Sequence, residues 1–225
     1  MTDHTTGDPT KTALFDLDGT LIDSAPGIFA SVDAMLRSLG HTPDPAADLT
    51  WMVGPPLDEA IAQLLAPYHD TRTTEAMVLY RTHYGAEGML RSTLYPGALD
   101  MLDAFAAAGW ALFVVTSKRE VFARAILERL GVDQRFRAIH GSIQGGAYDS
   151  KPVLLRSVLE QYAIDRAAAV MIGDRIHDYV AARENQVASV AVTWGYGTPT
   201  EFAHADAVVG EAAEVLPAAT ALLQQ

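Results

Sequence analysis

The sequence predicts an α/β protein: a parallel sheet covered by helices on both faces, with an all-helical segment inserted after the first strand. Two observations predict it. From residue 93 onward, short apolar runs alternate with stretches of helical periodicity. Those runs are apolar at consecutive positions, as in strands buried on both faces. Between residues 25 and 92 apolar positions instead fall at helical spacing, without a convincing strand. The expected organisation is therefore a core of 1–24 and 93–225, with 25–92 forming a cap.

The first strand is Ala13-Leu14-Phe15, after a polar tail expected to fray. A helix follows over 24–39, where Ile28, Phe29, Val32, Met35, Leu36 and Leu39 recur at helical spacing and Gly40 ends the pattern. A proline-rich loop at 42–48 leads to helices near 57–66 and 73–87. After Tyr95-Pro96-Gly97 come a helix near 98–108, the strand Ala111–Val115 and a helix near 120–130 that stops at Gly131. A short strand is expected at 138–140, then a helix over 152–162, the strand Ala169–Ile172 and a helix near 177–185. The strand Ser189–Val192, the loop Trp194–Gly197, a strand at 207–209 and a terminal helix complete the order.

The chain has 225 residues, 49% hydrophobic and 20% charged, the balance of an ordinary soluble globular protein. Its net charge of −12 argues against a nucleic acid polymer or an anionic membrane as partner. The absence of cysteine excludes disulfides, thiol catalysis and Cys-based zinc sites. No apolar run approaches the ~20 residues of a membrane span, and the first ten residues lack a signal-peptide core. The expectation is a cytoplasmic protein, monomer or homodimer.

Asp16-Leu17-Asp18-Gly19-Thr20 follows the first strand directly. Side chains at i and i+2 lie on one side of an extended chain, so Asp16 and Asp18 start out pointing together. Two close anions repel, and one protonates unless a cation joins them. An all-oxygen pair suits a hard ion such as Mg2+ and leaves a carboxylate as a possible nucleophile. A plain Asp-Gly turn is the competing reading, whereas an EF-hand fails because Gly19 is fourth rather than sixth. Ligands of parallel sheets bind beyond the carboxyl ends of the strands. There the sequence places Asp16 and Asp18, then Thr116-Ser117-Lys118, then Gly173-Asp174-Arg175-Ile176-His177-Asp178, with Lys151 at the start of the preceding helix.

These four segments, in this order and with a helical stretch between the first two, resemble the motifs of the haloacid dehalogenase superfamily of phosphohydrolases. Gly54-Pro55-Pro56-Leu57, Tyr95-Pro96-Gly97 and Trp194-Gly195-Tyr196-Gly197 are similar to its phosphoglycolate phosphatase-like branch, which includes enzymes named 5′-nucleotidases. Ala181-Ala182 and Asn185-Gln186 depart from that branch's usual Gly-Ala and Asn-Gly, at helix-packing and turn positions. The resemblance implies a Rossmann-like core with an inserted helical cap. It also implies hydrolysis of a small phosphate monoester, phosphoglycolate-like or a nucleoside 5′-monophosphate, through an aspartyl-phosphate, and leaves both substrates open. Asp16 is then the nucleophile and Asp18 the general acid and base. Mg2+ would take Asp16, the backbone carbonyl of Asp18 and Asp174. Thr116 and Ser117 would hold phosphoryl oxygens, and Lys151 would offset the negative charge. Gly19 and Thr20 would join Ser117 in binding substrate, with the Thr20 hydroxyl also ordering the first loop. Dehalogenating and phosphonate-cleaving relatives usually lack the second Asp, so its presence points to a phosphatase.

Other residues have less pointed expectations. Asp178 is divided evenly between supporting the metal site and having no role. Lys118 and Arg119 are expected as solvated charge, and His177 as an exposed helix residue. Arg175 is left open between substrate and a neighbouring acid. The Gly54 loop is either a plain break between helices or a wall facing the leaving group. Gly141–Gly146 is expected as a turn leading to Lys151, not a P-loop. A phosphosugar mutase and a catalytically idle binding protein are the alternative functions.

Overall fold

The computed structural model describes residues 11–55, 57–143 and 150–224. The N-terminal tail and the Gln144–Gly146 part of the expected turn lie outside them, as does Pro56. Among the described residues, the main sheet has the order β5-β4-β1-β6-β7-β8, all pairs parallel. Its strands are β1 (Thr12–Phe15), β4 (Ala111–Arg119), β5 (Ala138–Ser142), β6 (Ala169–Gly173), β7 (Ala188–Val192) and β8 (Ala207–Val209). The order reverses at β1, so its carboxyl end opens at a topological switch point.

Every residue of β1 and β6 is buried, which accounts for their unbroken apolar runs. Alternate side chains feed two cores. Ala13 and Phe15 face one side with Leu112, Val114, Val170 and Ile172, beneath α4 (Ala98–Ala107), α5 (Glu120–Arg129) and α9 (Ala212–Leu222). There the Phe15 ring meets Phe105 edge-on, with centroids 5.4 Å apart. Leu14, Phe113, Val115 and Met171 face the other side, beneath α6 (Lys151–Gln161) and α7 (Ile176–Glu184).

Residues 24–92 contain α1 (Ala25–Ser38), α2 (Leu57–Leu65), α3 (Thr73–Ala86) and short 3-10 turns at Thr50–Met52, Ala66–Tyr68 and Gly88–Arg91. Two short strands bracket them: β2 (Ile22–Asp23) and β3 (Thr93–Leu94) pair antiparallel, Ile22 with Leu94 and Asp23 with Thr93. Two residues each are too few to show a period, so the sequence did not suggest them. The four-residue helix α8 (Pro199–Phe202), capped by Thr198 and Glu201, was missed for the same reason.

Two expectations change at the carboxyl edge of the sheet. The strand expected to end at Val115 continues to Arg119, with its register against β5 shifting between Thr116 and Arg119. Gly141 and Ser142 extend β5 rather than forming a turn. A Cβ at Gly141 would collide with the Lys118 carbonyl and the Glu120 amide, so glycine is what lets β5 lie alongside the irregular end of β4.

Gly27 of α1 has a comparable role between elements, because a Cβ there would collide with the Gly88 carbonyl. Alanine favours helix over glycine, yet Gly27→Ala is expected to destabilise the protein by ~1–3 kcal/mol through overpacking. Urea unfolding midpoints of the variant and the parent check this; an unchanged or higher midpoint would show that the contact yields without cost.

Candidate active site

Asp16 sits where β1 ends, its backbone N–H donating to the Ile172 carbonyl at 2.8 Å. The chain then turns tightly: the N–H groups of Leu21 and Ile22 both donate to the Leu17 carbonyl at 3.0 Å, and Gly19 takes φ +85°. This geometry buries Asp16, Asp18 and Thr20 together. Thr20 orders more than its own loop, because its hydroxyl donates to Asp174 Oδ1 at 3.3 Å.

Each of the paired carboxylates has its own lysine. Lys151 Nζ lies 2.5 Å from Asp16 Oδ1 and also contacts Asp178 Oδ1. Lys118 Nζ lies 2.8 Å from Asp18 Oδ2 and 4.6 Å from the centre of the Tyr84 ring. Lys118 is thus not a solvated charge. Its side chain is only 7% exposed, because the extended end of β4 aims it inward and the Asp18 anion and the Tyr84 face receive it. Asp18 Oδ1 is buried without a hydrogen-bond partner among the described residues.

Asp16, Asp174 and Asp178 each bring an oxygen within 4.8 Å of the others. Asp174 begins the loop after β6, and its Oδ2 accepts the Tyr196 backbone N–H at 2.8 Å. Asp178 is buried in the first turn of α7, its Oδ2 accepting the Arg175 N–H at 3.0 Å. It is therefore a charged partner of Lys151 as well as a helix cap. Gly19 and Gly195 both close on Asp174: a Cβ at either would strike its carboxylate. The loop Trp194–Gly197 also grips the first loop, with Trp194 Nε1 donating to the Thr20 carbonyl at 3.1 Å and Tyr196 OH to Asp23 Oδ1 at 2.5 Å. The sequence singled out this loop only through its similarity to the phosphoglycolate phosphatase-like branch, and the Trp194–Thr20 contact joins residues 174 apart in the chain.

Thr116 is buried at the mouth of the sheet, and its Oγ1 accepts the Lys118 N–H at 3.2 Å. It does not cap α5, whose N-cap is Arg119. Ser117 is half-buried beside it, and both line one cavity with Asp16 and Asp18. The Gly54 loop faces this cavity as well. Gly54 takes φ +101°, and a Cβ there would press on Arg175 Cγ. Arg175 donates through Nε to Glu201 at 3.1 Å and through Nη1 to the Val53 carbonyl. His177 is half-buried rather than exposed and lies outside the carboxylate cluster. Burial lowers its pKa first, partly opposed by Asp178.

Residues 13–192 match the family model of haloacid dehalogenase-like hydrolases. The chain belongs to this family. Among relatives of this haloacid dehalogenase-like hydrolase, a 5′-nucleotidase of Pseudomonas aeruginosa is 37% identical over 84% of this chain and 85% of that protein. A phosphoglycolate phosphatase of Agrobacterium fabrum is 36% identical over 92% and 91%. The tyrosine-protein kinase PtkA of Mycobacterium tuberculosis is 40% identical over 85% of this chain but only 65% of that protein. A solved PtkA structure superposes with a TM-score of 0.79 over 95% of this chain and 99% of that chain, at 36% identity. The phosphoglycolate phosphatase-like resemblance of the motifs thus holds over nearly the whole hydrolase.

Crowding of anions dominates the electrostatics of the hydrolase's site. Burial raises the Asp16 carboxyl to about 6, with Lys151 pulling it down and Asp178 pushing it up. Burial likewise raises Asp174 well above the usual carboxylate range, reinforced by Asp178 and Asp16. Burial alone would lower Lys151, but Asp16 and Asp178 outweigh it and hold the ammonium above the ordinary lysine value. Lys118 is raised in the same way, burial being outweighed by Asp18 together with Tyr84 and Tyr80.

The sign for stability follows. Between pH 3.8 and about 6 the folded protein binds a proton at Asp16 that the unfolded chain releases. This group's stabilising contribution is thus largest below the lower value and is lost as pH rises through the upper one. With chelator present, Asp16→Asn is expected to unfold at higher urea than the parent at pH 7, by ~1–3 kcal/mol. The gap should shrink toward pH 4. Urea midpoints across this range check it; a gap independent of pH would contradict the burial effect.

Proposed function

We propose that this protein is a Mg2+-dependent phosphatase that hydrolyses a small phosphate monoester through an aspartyl-phosphate on Asp16. The observation that carries the reading is the convergence of Asp16, Asp18, Thr116, Lys151, Asp174 and Asp178, from four separate segments, at one end of the sheet. The family and the phosphatase names of several relatives support it.

The donor set fits the metal. Asp16, Asp174 and Asp178 supply only buried oxygens, the chemistry of Mg2+ rather than of zinc or copper. The raised proton affinity that burial gives Asp16 and Asp174 is relieved by any cation placed among them. Asp16, the backbone carbonyl of Asp18 and Asp174 would hold the ion, with Asp178 beside them as the partner of Lys151. When bound, Mg2+ supplies charge neutralisation at the phosphoryl group.

The residues then divide the reaction. An Asp16 carboxylate oxygen attacks phosphorus, and the bond from phosphorus to the leaving oxygen breaks as Asp18, which must enter this step carrying a proton on Oδ1, gives that proton to the leaving oxygen. Water then attacks phosphorus, Asp18 takes its proton, and phosphate leaves with Asp16 restored. Lys118 anchors Asp18 through Oδ2, leaving the unpartnered Oδ1 as the oxygen for proton transfer. Thr116 and Ser117 bind phosphoryl oxygens, Lys151 offsets their charge, and Gly19 and Thr20 keep the first loop against Asp174. Asp18→Asn is expected to lower kcat by ~10²–10⁴. Asp16→Asn should abolish both phosphate release and acid-stable labelling of the protein by ³²P-substrate, each measured with Mg2+ and with chelator. Release that persists in Asp16→Asn, or without metal, would refute the mechanism.

We further propose that residues 25–92 form a cap that excludes water from this reaction, as lids do elsewhere. Arg175 supports this reading by tying the Val53 carbonyl to the loop that bears Asp174. Arg175→Met is expected to speed amide exchange around residues 49–55 roughly tenfold or more, the loss of one charge-assisted hydrogen bond. Exchange in β1 and β6 should hold steady. Hydrogen-exchange mass spectrometry reads both, and unchanged exchange at 49–55 would remove Arg175 as the tie.

A further inference from the structure

We infer that Tyr196 is a positioning residue with two ends: its backbone amide orients Asp174 for a divalent cation, and its hydroxyl holds Asp23, where the chain leaves the sheet for the helical segment. Cation binding and the rigidity of that junction are thereby linked through one residue. This rests on the Mg2+ reading above and goes beyond it.

The Asp174 end is built around both carboxylate oxygens. Oδ1 accepts the Thr20 hydroxyl at 3.3 Å and Oδ2 accepts the Tyr196 N–H at 2.8 Å. Asp174 is fully buried, so these two donors decide which of its lone pairs remain for a cation. The loop comes this close because its preceding residue is Gly195, where a Cβ would strike both Asp174 Oδ2 and the Gly19 carbonyl. A backbone amide is only as well aimed as the backbone that carries it. The Tyr196 side chain is what pins this stretch.

Its other end lies outside the carboxylate cluster. Tyr196 OH donates to Asp23 Oδ1 at 2.5 Å, and the same oxygen accepts the N–H of Ala25, the first residue of α1, at 3.1 Å. Asp23 is also paired with Thr93 across β2 and β3. One carboxylate oxygen thus fastens the start of α1 to the loop that orients Asp174. A hydroxyl donating to a carboxylate makes a charge-assisted bond, the stronger class.

The two ends cannot be independent. A cation that binds more tightly with the Tyr196–Asp23 bond made must make that bond harder to open, by the same factor. One charge-assisted hydrogen bond corresponds to a factor of about ten or more.

The test uses the full chain with Mg2+ alone. Titration calorimetry gives the Mg2+ Kd, and residue-resolved amide exchange follows the Ala25 N–H with and without saturating Mg2+. In the parent, Mg2+ is expected to slow exchange at Ala25 about tenfold. Tyr196→Phe keeps the ring and removes the hydroxyl; it is expected to weaken Mg2+ binding about tenfold and to abolish the slowing at Ala25. Asp23→Ala should do the same from the opposite side of the bond, and serves alone if Tyr196→Phe fails to fold. Asp23→Asn keeps an acceptor oxygen and should stay within about threefold of the parent on both measures. An Mg2+ Kd and an Ala25 response unchanged in Tyr196→Phe or in Asp23→Ala would overturn the inference and leave the Mg2+ reading intact. So would an Ala25 N–H that Mg2+ does not slow in the parent, or an Asp23→Asn loss as large as that of Asp23→Ala. A parent that binds no Mg2+ would overturn the Mg2+ reading and the inference with it.

Discussion

Four carboxylates and two lysines are buried together at one end of the sheet, and the fold around them is arranged to make that tolerable. Isolated buried ions are costly, and removing one partner of a buried pair leaves the other uncompensated. Here Lys151 serves Asp16 and Asp178, Lys118 serves Asp18, and the Tyr196 amide and the Thr20 hydroxyl serve Asp174. The lysines arrive from positions 135 and 100 residues away in the chain from their aspartates. Such a site exists only once the parallel sheet has aligned its strand ends, so the chemistry is a product of tertiary structure, not of any one motif.

Whether a chain of net charge −12 binds an anion is decided by the groups at contact range in the site, not by its total charge. Negative charge spread over the surface is screened within about 10 Å in ordinary salt, whereas the site's own charges act at contact distance and away from water. Lys151 and Lys118 offset only part of the charge of the four buried carboxylates, so on the proposed mechanism a cation held among Asp16, Asp174 and Asp178 would supply the positive charge that an anionic substrate meets. The low-dielectric walls contributed by Ile28, Met52, Tyr80 and Phe122 strengthen it. Global charge therefore bears on colloidal behaviour and on polyanionic partners, and says little about what a sheltered pocket binds.

The strands and the residues that end them could be read from the chain because both obey short-range rules. Apolar runs mark strands buried on two faces, and a parallel sheet sends its functional side chains to the carboxyl ends, which singled out Asp16, Asp18, Thr116, Lys151 and Asp174. Lys118 escaped because nothing local distinguishes a lysine in a buried pair from one in water; its partner is set by where β4 ends. Gly195 and Gly141 escaped because their role lies in what a Cβ would strike, carbons and oxygens distant in sequence. The strands β2 and β3 escaped because two residues carry no period. Arg175 was visible as a charge beside the fourth motif, but its link to Val53 depends on how the helical segment leans over the sheet.

The pairing of β2 with β3 has a further consequence. Residues 23 and 93, the two ends of the intervening helical segment, lie opposite each other on adjacent strands. A loop whose ends are already held together adds only slowly to the entropy of closure as it lengthens. The sheet, the lysine pairs and the grip of Trp194 on Thr20 all lie outside that bracket. Evolution could therefore enlarge, trim or replace the helices between those two points without disturbing the strand ends that hold the buried carboxylates and lysines. The hairpin is thus a socket, which lets one sheet accept different helical inserts.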